Sequence, residues 1–260
     1  MLQRVFEIIN YRDMIGGMIK REIRGRYKGS MLGFAWNVIT PMCQIVIYYI
    51  VFSMVFRSGI ENFHVYLVVG MMPWTCFSDA IVQGTGSIVA NADMTKKIYF
   101  PREVLPISIV TSRFINLLLT FIVVFLIIFF SSVNITPSLL LFLPLILVVE
   151  YVLTLAIVIL LSAFNVYYHD VEYISGVIMM LLVWMTPIMY SLDSVGNGIL
   201  LKLVMLNPMT TIIDAYHQIL FYGAVPNLLS LGLVGIFAVV FLLIAELVFM
   251  TLEKRFAEVL

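Results

Sequence analysis

The chain has 260 residues, of which 62% are apolar and 12% charged, where a soluble domain is near half apolar and about a quarter charged. Fifteen basic side chains balance fifteen acidic ones, and nucleic acid is not an expected partner. A mean hydropathy of +1.08 leaves too little polar surface to clothe a water-soluble globule, and several apolar runs exceed the roughly 18–20 residues that cross a bilayer.

Before the first apolar run stand Arg4, Arg12, Lys20, Arg21, Arg24, Arg26 and Lys28. No continuous apolar core of a cleavable signal precedes them, so the first span is expected to serve as the insertion signal. Tyr11, Met14, Ile15, Met18, Ile19, Ile23 and Tyr27 recur at steps of three or four, with Arg and Lys on the other face. This pattern predicts an amphipathic helix over 11–28 lying in the membrane interface, weakened or bent at Gly16-Gly17. The plainer alternative is an ordinary positive anchor.

Six transmembrane helices are predicted, over 31–56, 64–90, 104–131, 139–163, 171–191 and 226–251. They must be helical, because lipid offers no partner to an unpaired backbone amide. Gly70, Pro73, Gly84 and Gly86 interrupt the second, and Pro187 the fifth. Such breakers suit helices that move or line a cavity. Between the second and third spans, Asn91–Pro106 is short and polar. Asp93 is placed to cap a brief helix through Lys97, and Pro101 to end it. The stretch 192–225 is too apolar for a solvated loop. Asn207-Pro208 is a helix start and Gly223 a stop. The roughly 15-residue helix between them, about 22 Å long, is too short to span. With the apolar turns of Ile199–Leu206 before it, the pair reads as a re-entrant helical hairpin in the outer leaflet. The sequon at Asn134 reads as a chance match.

With six spans, twelve basic residues, including Lys96, Lys97, Arg102, Lys254 and Arg255, fall on one side. Only Arg57 and Lys202 fall on the other. Both termini are therefore expected in the cytoplasm.

The residues that carry chemistry are few. There is no Gly-x4-Gly-Lys-Ser/Thr loop, so ATP hydrolysis is not expected of this chain. Cys43 and Cys76 lie in apolar runs, and His64, His169 and His217 are dispersed, so no metal site is expected. Asp79, Arg113, Glu150 and Glu246 are intramembrane charges, functional candidates by default. Arg113 and Glu246 lie at similar depth from the inner ends of their helices and are expected to pair, as a fixed bolt or one that re-pairs as the bundle moves. Asp79 and Glu150 lie nearer mid-membrane, where two acids alone make a poor proton relay. Trp36, Tyr48, Tyr49, Trp74, Phe77, Trp184 and Tyr190 sit on or beside spans one, two and five. Rings with hydrogen-bonding edges suit sugars, and they equally suit helix packing.

Several stretches together resemble a known family. Lys20-Arg21-Glu22-Ile23-Arg24-Gly25-Arg26-Tyr27-Lys28-Gly29-Ser30, then Leu32-Gly33, Trp36 and Pro41, form the first. Asn91 to Pro106 with Lys96-Lys97 and Phe100-Pro101-Arg102, Phe164-Asn165-Val166 with Asp170-Val171, and Asn207-Pro208 complete the set. In order and spacing they resemble the permease subunits of type-2 ABC exporters for cell-surface polysaccharide: O-antigen of lipopolysaccharide, capsule and teichoic acid. His169 departs from the pattern, which often has Arg there.

The resemblance implies an all-α membrane protein, a single permease domain over 1–260. Its parts are a cytoplasmic gate-helix region (1–30), a six-helix bundle (31–251) and a cytoplasmic tail (252–260). It implies a homodimer in the bacterial cytoplasmic (inner) membrane with two copies of a separate ATPase, which holds the ATP and Mg; no cofactor is expected in this chain. Asn91, Asp93, Lys96, Lys97, Tyr99 and Arg102 belong to the implied coupling helix. Arg21, Arg24, Arg26 and Lys28, on the implied gate helix, sit where the pyrophosphate of a polyprenyl-linked glycan or any anionic membrane lipid would lie. The seven aromatics mark the implied glycan path, and Asn207, Pro208, Asp214 and His217 the outer gate. A drug or lipid exporter of the same architecture is the alternative cargo reading. An ion-coupled transporter is a third, and it predicts dense carboxylates and an internal repeat that are not visible.

Overall fold

The computed structural model of the protein describes residues 2–27, 29, 31–51, 60–131, 133, 136–196 and 198–260. All regular elements among them are helices. Two N-terminal helices, α1 (Leu2–Asn10) and α2 (Arg12–Tyr27), lead to α3 (Trp36–Ile50). Then come α4 (Phe63–Thr85), the short α5 (Ser87–Ala90) and α6 (Ala92–Lys97), and α7 (Val104–Phe129). A 3-10 turn over Pro137–Phe142 opens α8 (Leu143–Tyr167), followed by α9 (Asp170–Leu182), α10 (Ile199–Leu206) and α11 (Pro208–His217). Helices α12 (Leu228–Glu253) and α13 (Phe256–Val259) end the chain.

Four helical stretches among the described residues are long and apolar enough to cross a membrane: 63–85, 104–129, 137–167 and 228–253. The pair 199–206 and 208–222, bent by 90°, is a fifth candidate if counted as one span. The expected first span is helical from Trp36 to Ile50, and its continuation over 52–56 lies outside the described residues. The expected fifth span is shorter than its apolar run. Helix α9 ends at Leu182 after 13 residues, about 20 Å of rise where ~30 Å is needed. Pro187 explains the stop: it has no N–H to donate and disfavours the helical conformation at Thr186. Thr186 turns its hydroxyl back to the Leu182 carbonyl at 2.8 Å.

Helix α4 is the hub, packed against α3, α7, α8, α9 and α11. Its side chains from Val65 to Trp74 are all buried. Gly84 lets it close on α8, since a Cβ there would stand 2.3 Å from Val158 Cγ1. Helix α12 lies along α8 and exposes Leu229, Leu233, Ile236, Phe237, Leu243 and Leu247, a face suited to lipid. A second core gathers Met18, Ile88, Phe100, Val104, Val166, Phe249 and Phe256. It fastens α2 and the α5–α6 segment to one end of the bundle. Helix α2 runs unbroken through Gly16-Gly17, because its apolar face is held against α7.

Candidate functional site

At the end of the bundle that gathers both termini, the charges form a knot. Arg4 on α1 donates from Nε and Nη2 to both oxygens of Glu103, at 2.8 and 2.7 Å. It also bonds Glu253, at the end of α12, and Glu7 at 3.1 Å. Arg102 approaches the same Glu253 at 3.3 Å. Glu103 is wholly buried. Burial pushes its carboxyl above the usual range, Arg4 pulls it back, and Glu253 pushes it up again. Burial alone would lower the Arg4 guanidinium, but its bonds to Glu103 and Glu253 outweigh that and raise it. No feature of the sequence marked Arg4, Glu103 and Glu253 as partners, since they are some 100 and 150 positions apart.

The segment 91–102 is tied to this knot. Its helix spans Ala92–Lys97, with Asn91 rather than Asp93 at the cap position; Asp93 lies in the first turn. The Asn91 side chain does not cap. Its Nδ2 donates to the Ser87 carbonyl at 2.8 Å, and its Oδ1 accepts from Arg21 at 2.8 Å. Lys96 donates to the carbonyl of Leu260. Lys97, Ile98 and Tyr99 are exposed while Thr95 and Phe100 are buried, so a row of three side chains faces outward, with the Tyr99 hydroxyl donating to Glu7 Oε1 at 3.5 Å. Ile98 is an addition that charge-based reading missed. Of the basic side chains expected on α2, Arg21 and Arg24 are exposed. The side chain of Arg26 and the whole of Lys28 lie outside the described residues.

Deeper in, α3, α4 and α9 frame a groove of about 280 Å³ lined by Gln44, Tyr48, Trp74, Thr75, Ser78 and Asp79, with methionines and Val183 closing its apolar side. Met71, Trp74, Thr75, Ser78 and Asp79 share one face of α4, as the spacing i, i+3, i+4, i+7, i+8 requires. Two of the seven expected aromatics, Tyr48 and Trp74, therefore meet in one cleft with an amide, two hydroxyls and a carboxylate. Phe77 faces elsewhere: it lines an apolar cavity of about 470 Å³ with Ile157, Leu161, Phe164, Ile178 and Pro208. Trp36, Tyr49 and Trp184 are exposed. Tyr190 donates to the Trp184 carbonyl at 3.2 Å.

The bent pair α10–α11 begins its second arm as its sequence predicts. Asn207 Oδ1 accepts from the Met209 amide at 3.1 Å, and Nδ2 donates to Thr186 Oγ1 at 2.9 Å. Pro208 holds the first helical position. Gly223, at φ 62°, stops the π-turn that extends α11 to Tyr222. His217 is buried, with its ring stacked on Tyr66 at 3.8 Å and Nε2 3.0 Å from the Tyr66 carbonyl. Gly70 makes room for it, since a Cβ there would lie 2.9 Å from His217 Nε2. Tyr216 donates to Glu150 Oε2 at 2.6 Å in the buried core, and Glu150 Oε1 has no hydrogen-bond partner among the described residues. Asp214 lines a cleft of about 370 Å³ with Tyr66, Ser191, Gln218 and Tyr222. The latching roles of Tyr66, Thr186 and Tyr216 carried no signal in the sequence.

The expected Arg113–Glu246 pair is not brought together among the described residues. Arg113 is buried, its Nε without a hydrogen-bond partner among the described residues, whereas Glu246 faces Glu103 and the Arg4 knot. Equal depth in two helices does not put two side chains on facing sides.

Residues 15–221 match the family described as ABC-2 type transporter. The O-antigen export system permease protein RfbA of Myxococcus xanthus is 30% identical over 259 residues, 99% of each chain. A protein of the same name from Klebsiella pneumoniae is 31% identical over 250 residues, 95% of each. The polysialic acid transport protein KpsM of Escherichia coli is 22% identical over 253 residues, 92% of this chain and 93% of that one.

Proposed function

The chain belongs to the ABC-2 type transporter family as a multi-pass membrane permease, a transport subunit without an ATPase domain of its own, and from that premise we propose that it exports a lipid-linked polysaccharide across the bacterial cytoplasmic membrane. The observation that carries the cargo is the groove of Tyr48 and Trp74 with Gln44, Thr75, Ser78 and Asp79. Ring faces stack on sugar C–H surfaces, and the polar edges replace the water that hydroxyls lose. The names of the near-full-length relatives point the same way.

In this reading the first and fifth spans complete a six-span topology with both termini in the cytoplasm. Two protomers face each other across α3 and α9, and the exposed Trp36, Tyr49 and Trp184 extend the path along their interface. Helix α2 is the inner gate, where Arg21, Arg24, Arg26 and Lys28 meet the pyrophosphate. Segment 91–102 docks on the ATPase, and the bent pair with Asn207, Pro208, Asp214 and His217 dips into the outer leaflet as the outer gate. ATP-driven closure of two ATPases pushes α6 and opens the path; no bond in the glycan is made or broken.

The test is ATP hydrolysis by the permease co-purified with the ATPase encoded beside it, combined with surface staining of a deletion strain. Loss of surface polysaccharide and permease-dependent hydrolysis support the reading. An intact coat, or no associating ATPase, overturns it. The apolar cavity around Phe77 favours a second reading, export of an apolar small molecule. Drug-stimulated hydrolysis with an unaltered coat would support that instead.

A further inference from the structure

We propose that the apolar cavity between α8 and α9 binds one acyl chain of a zwitterionic aminophospholipid, drawn from the leaflet at the end of the bundle that gathers both termini. Helix α9 has three faces. Positions 171, 174, 175, 178 and 182 line the cavity, while 176, 180 and 183 line the polar groove and Met179 is the wall between the two. Tyr173, Val177 and Leu181 point outward and are exposed. A period of 3.6 residues puts each set on one side of the helix. The cavity is therefore distinct from the groove, and the outward face stays available to a second protomer.

The opposite wall is 157, 161 and 164 of α8, with Phe77 of α4 behind and Asn207-Pro208 at one end. Its few polar side chains are already engaged. Ser175 donates to the Glu172 carbonyl at 2.7 Å, and Asn207 bonds Thr186 and the Met209 amide. A buried water needs roughly two to four polar partners, so water is a poor occupant. Phe164, Ile174 and Ile178 are exposed along the seam between the helices, so the cavity opens sideways toward lipid. In a hydrocarbon medium an unfilled void forfeits dispersion contacts, and an entering chain restores them. The volume is about 470 Å³. An apolar cavity of ~150 Å³ takes up benzene, so one three times as large holds about 18 carbons, the size of one acyl chain and far short of a polyprenyl tail.

The mouth identifies the head group. Val171 lies at the end of α9 beside Tyr167, which donates to the Leu252 carbonyl at 2.8 Å. Next to it the Glu172 carboxylate rests against Gly86, where a Cβ would stand 2.6 Å from Oε2. Asp170 lies in the same first turn. At the far end of α5, Asn91 accepts from Arg21 at 2.8 Å. One helical turn, about 7–8 Å long, thus separates an exposed acid from an exposed base. An ammonium is attracted by Glu172 and a phosphate by Arg21, whose guanidinium has donors beyond those directed at Asn91 and Glu22. A head group carrying negative charge alone gains the second attraction and meets repulsion in place of the first.

The experiment places the full-length permease in nanodiscs of equal parts phosphatidylethanolamine and phosphatidylglycerol. A trace of either lipid carries a photoreactive group near the end of one acyl chain, and cross-linked peptides are mapped by mass spectrometry. The ethanolamine probe is expected to label 157–164 and 174–182 above the lipid-facing stretch 229–247 of α12. An ammonium ~5 Å from Glu172 is favoured about fourfold even at the dielectric of water, so the glycerol probe should label the cavity about fourfold less. Leu161→Trp, which fills the cavity, should abolish that labelling and leave α12 labelled as before. Glu172→Gln tests the head group at an exposed position without disturbing the core. It should keep the cavity labelled and bring the two probes level. Equal labelling of cavity and α12, cavity labelling unmoved by Leu161→Trp, or a preference unmoved by Glu172→Gln overturns the proposal. So does displacement of the ethanolamine probe by equimolar polyprenyl phosphate, or by an apolar compound that stimulates ATP hydrolysis, since either would give the cavity to cargo.

Discussion

Replacing Arg4 by Met should unfasten the first helix from the bundle. The guanidinium gives Glu103 two hydrogen bonds, of 2.8 and 2.7 Å, and Glu103 is fully buried. Breaking a buried pair from one side costs ~3–5 kcal/mol, because a charge is left uncompensated. Arg4 retains 13% side-chain exposure, and Glu103 can escape by taking up a proton, so the expected loss is ~2–3 kcal/mol. The pH dependence follows from the sign of the shift. Glu103 binds its proton more tightly folded than unfolded. Its titration therefore lowers stability as pH rises above the ordinary Glu value of ~4.3 and through the raised folded value. Without Arg4 that window extends further upward, so the Arg4→Met deficit should be small near pH 5 and grow toward pH 8. The assay is equilibrium unfolding in mixed micelles at both pH values, for Arg4→Met, Glu103→Gln and the double variant. The double variant should recover most of the loss. Equal cost of Arg4→Met with and without Glu103, or a deficit that shrinks as pH rises, would refute the reasoning.

Gly70→Ala should force the His217 ring off Tyr66 and cost ~1–3 kcal/mol by overpacking, seen as faster hydrogen exchange over 208–222. Gly232→Ala, whose Cβ meets nothing within 4 Å, is the quiet control. Tyr216→Phe should cost ~2 kcal/mol by removing the hydrogen bond that the Glu150 carboxyl accepts from Tyr216, and Glu150→Leu in the same chain should restore much of it; additive losses would count against the latch. Lys97→Ala and Tyr99→Ala should weaken ATPase capture by about tenfold or more while unfolding of the permease shifts by no more than ~0.5 kcal/mol. Arg102→Ala, which loses its ion pair with Glu253, should instead lower stability. Pull-down affinity and unfolding measured on the same preparations separate the two effects.

What the sequence disclosed was whatever depends on neighbours along the chain. The second, third, fourth and sixth spans are apolar runs of sufficient length, and each appears as a helix within a few residues of its expected bounds. Asn207-Pro208 and Gly223 mark the bent arm because caps act on residues two or three positions away. The fifth span was overdrawn because hydropathy does not register the hydrogen bond that Pro187 cannot make. The knot of Arg4, Glu103 and Glu253 and the latch of Tyr216 and Glu150 were illegible for the opposite reason. Their members are distant in sequence, and nothing local records the rotation of one helix about its axis relative to another. The same ignorance of rotation suggested Arg113 and Glu246 as partners, whereas Glu246 turns toward Glu103. Phe77 and Trp74, grouped from the sequence, do meet with ring centroids 5.7 Å apart, but Phe77 lines the apolar cavity and Trp74 the polar groove.

Helix α4 reaches every part of the proposed machine, and this constrains how force could travel. Its first half carries Tyr66 and Gly70, which seat His217 of the bent pair. Its middle carries the groove face of Trp74 and Asp79. Its last turn passes through Gly86 into α5, and from there to Asn91 and the exposed row Lys97-Ile98-Tyr99. A push on that row need cross no interface to reach the groove, since one continuous chain segment connects them. Pro73 leaves the carbonyl of Val69 without its helical donor, so bending is cheapest between the groove face and the hairpin seat. In the proposed cycle the inner part of α4 can therefore tilt the groove while the Tyr66–His217 stack holds, and the outer arm releases only when the bend at Pro73 is exhausted. Pro73→Ala should stiffen that joint and advance the release. Hydrogen exchange at 208–222 in the ATP-bound complex should then rise above that of the unaltered protein; a fall would mean that the outer arm is moved by α8 through Glu150, not by α4.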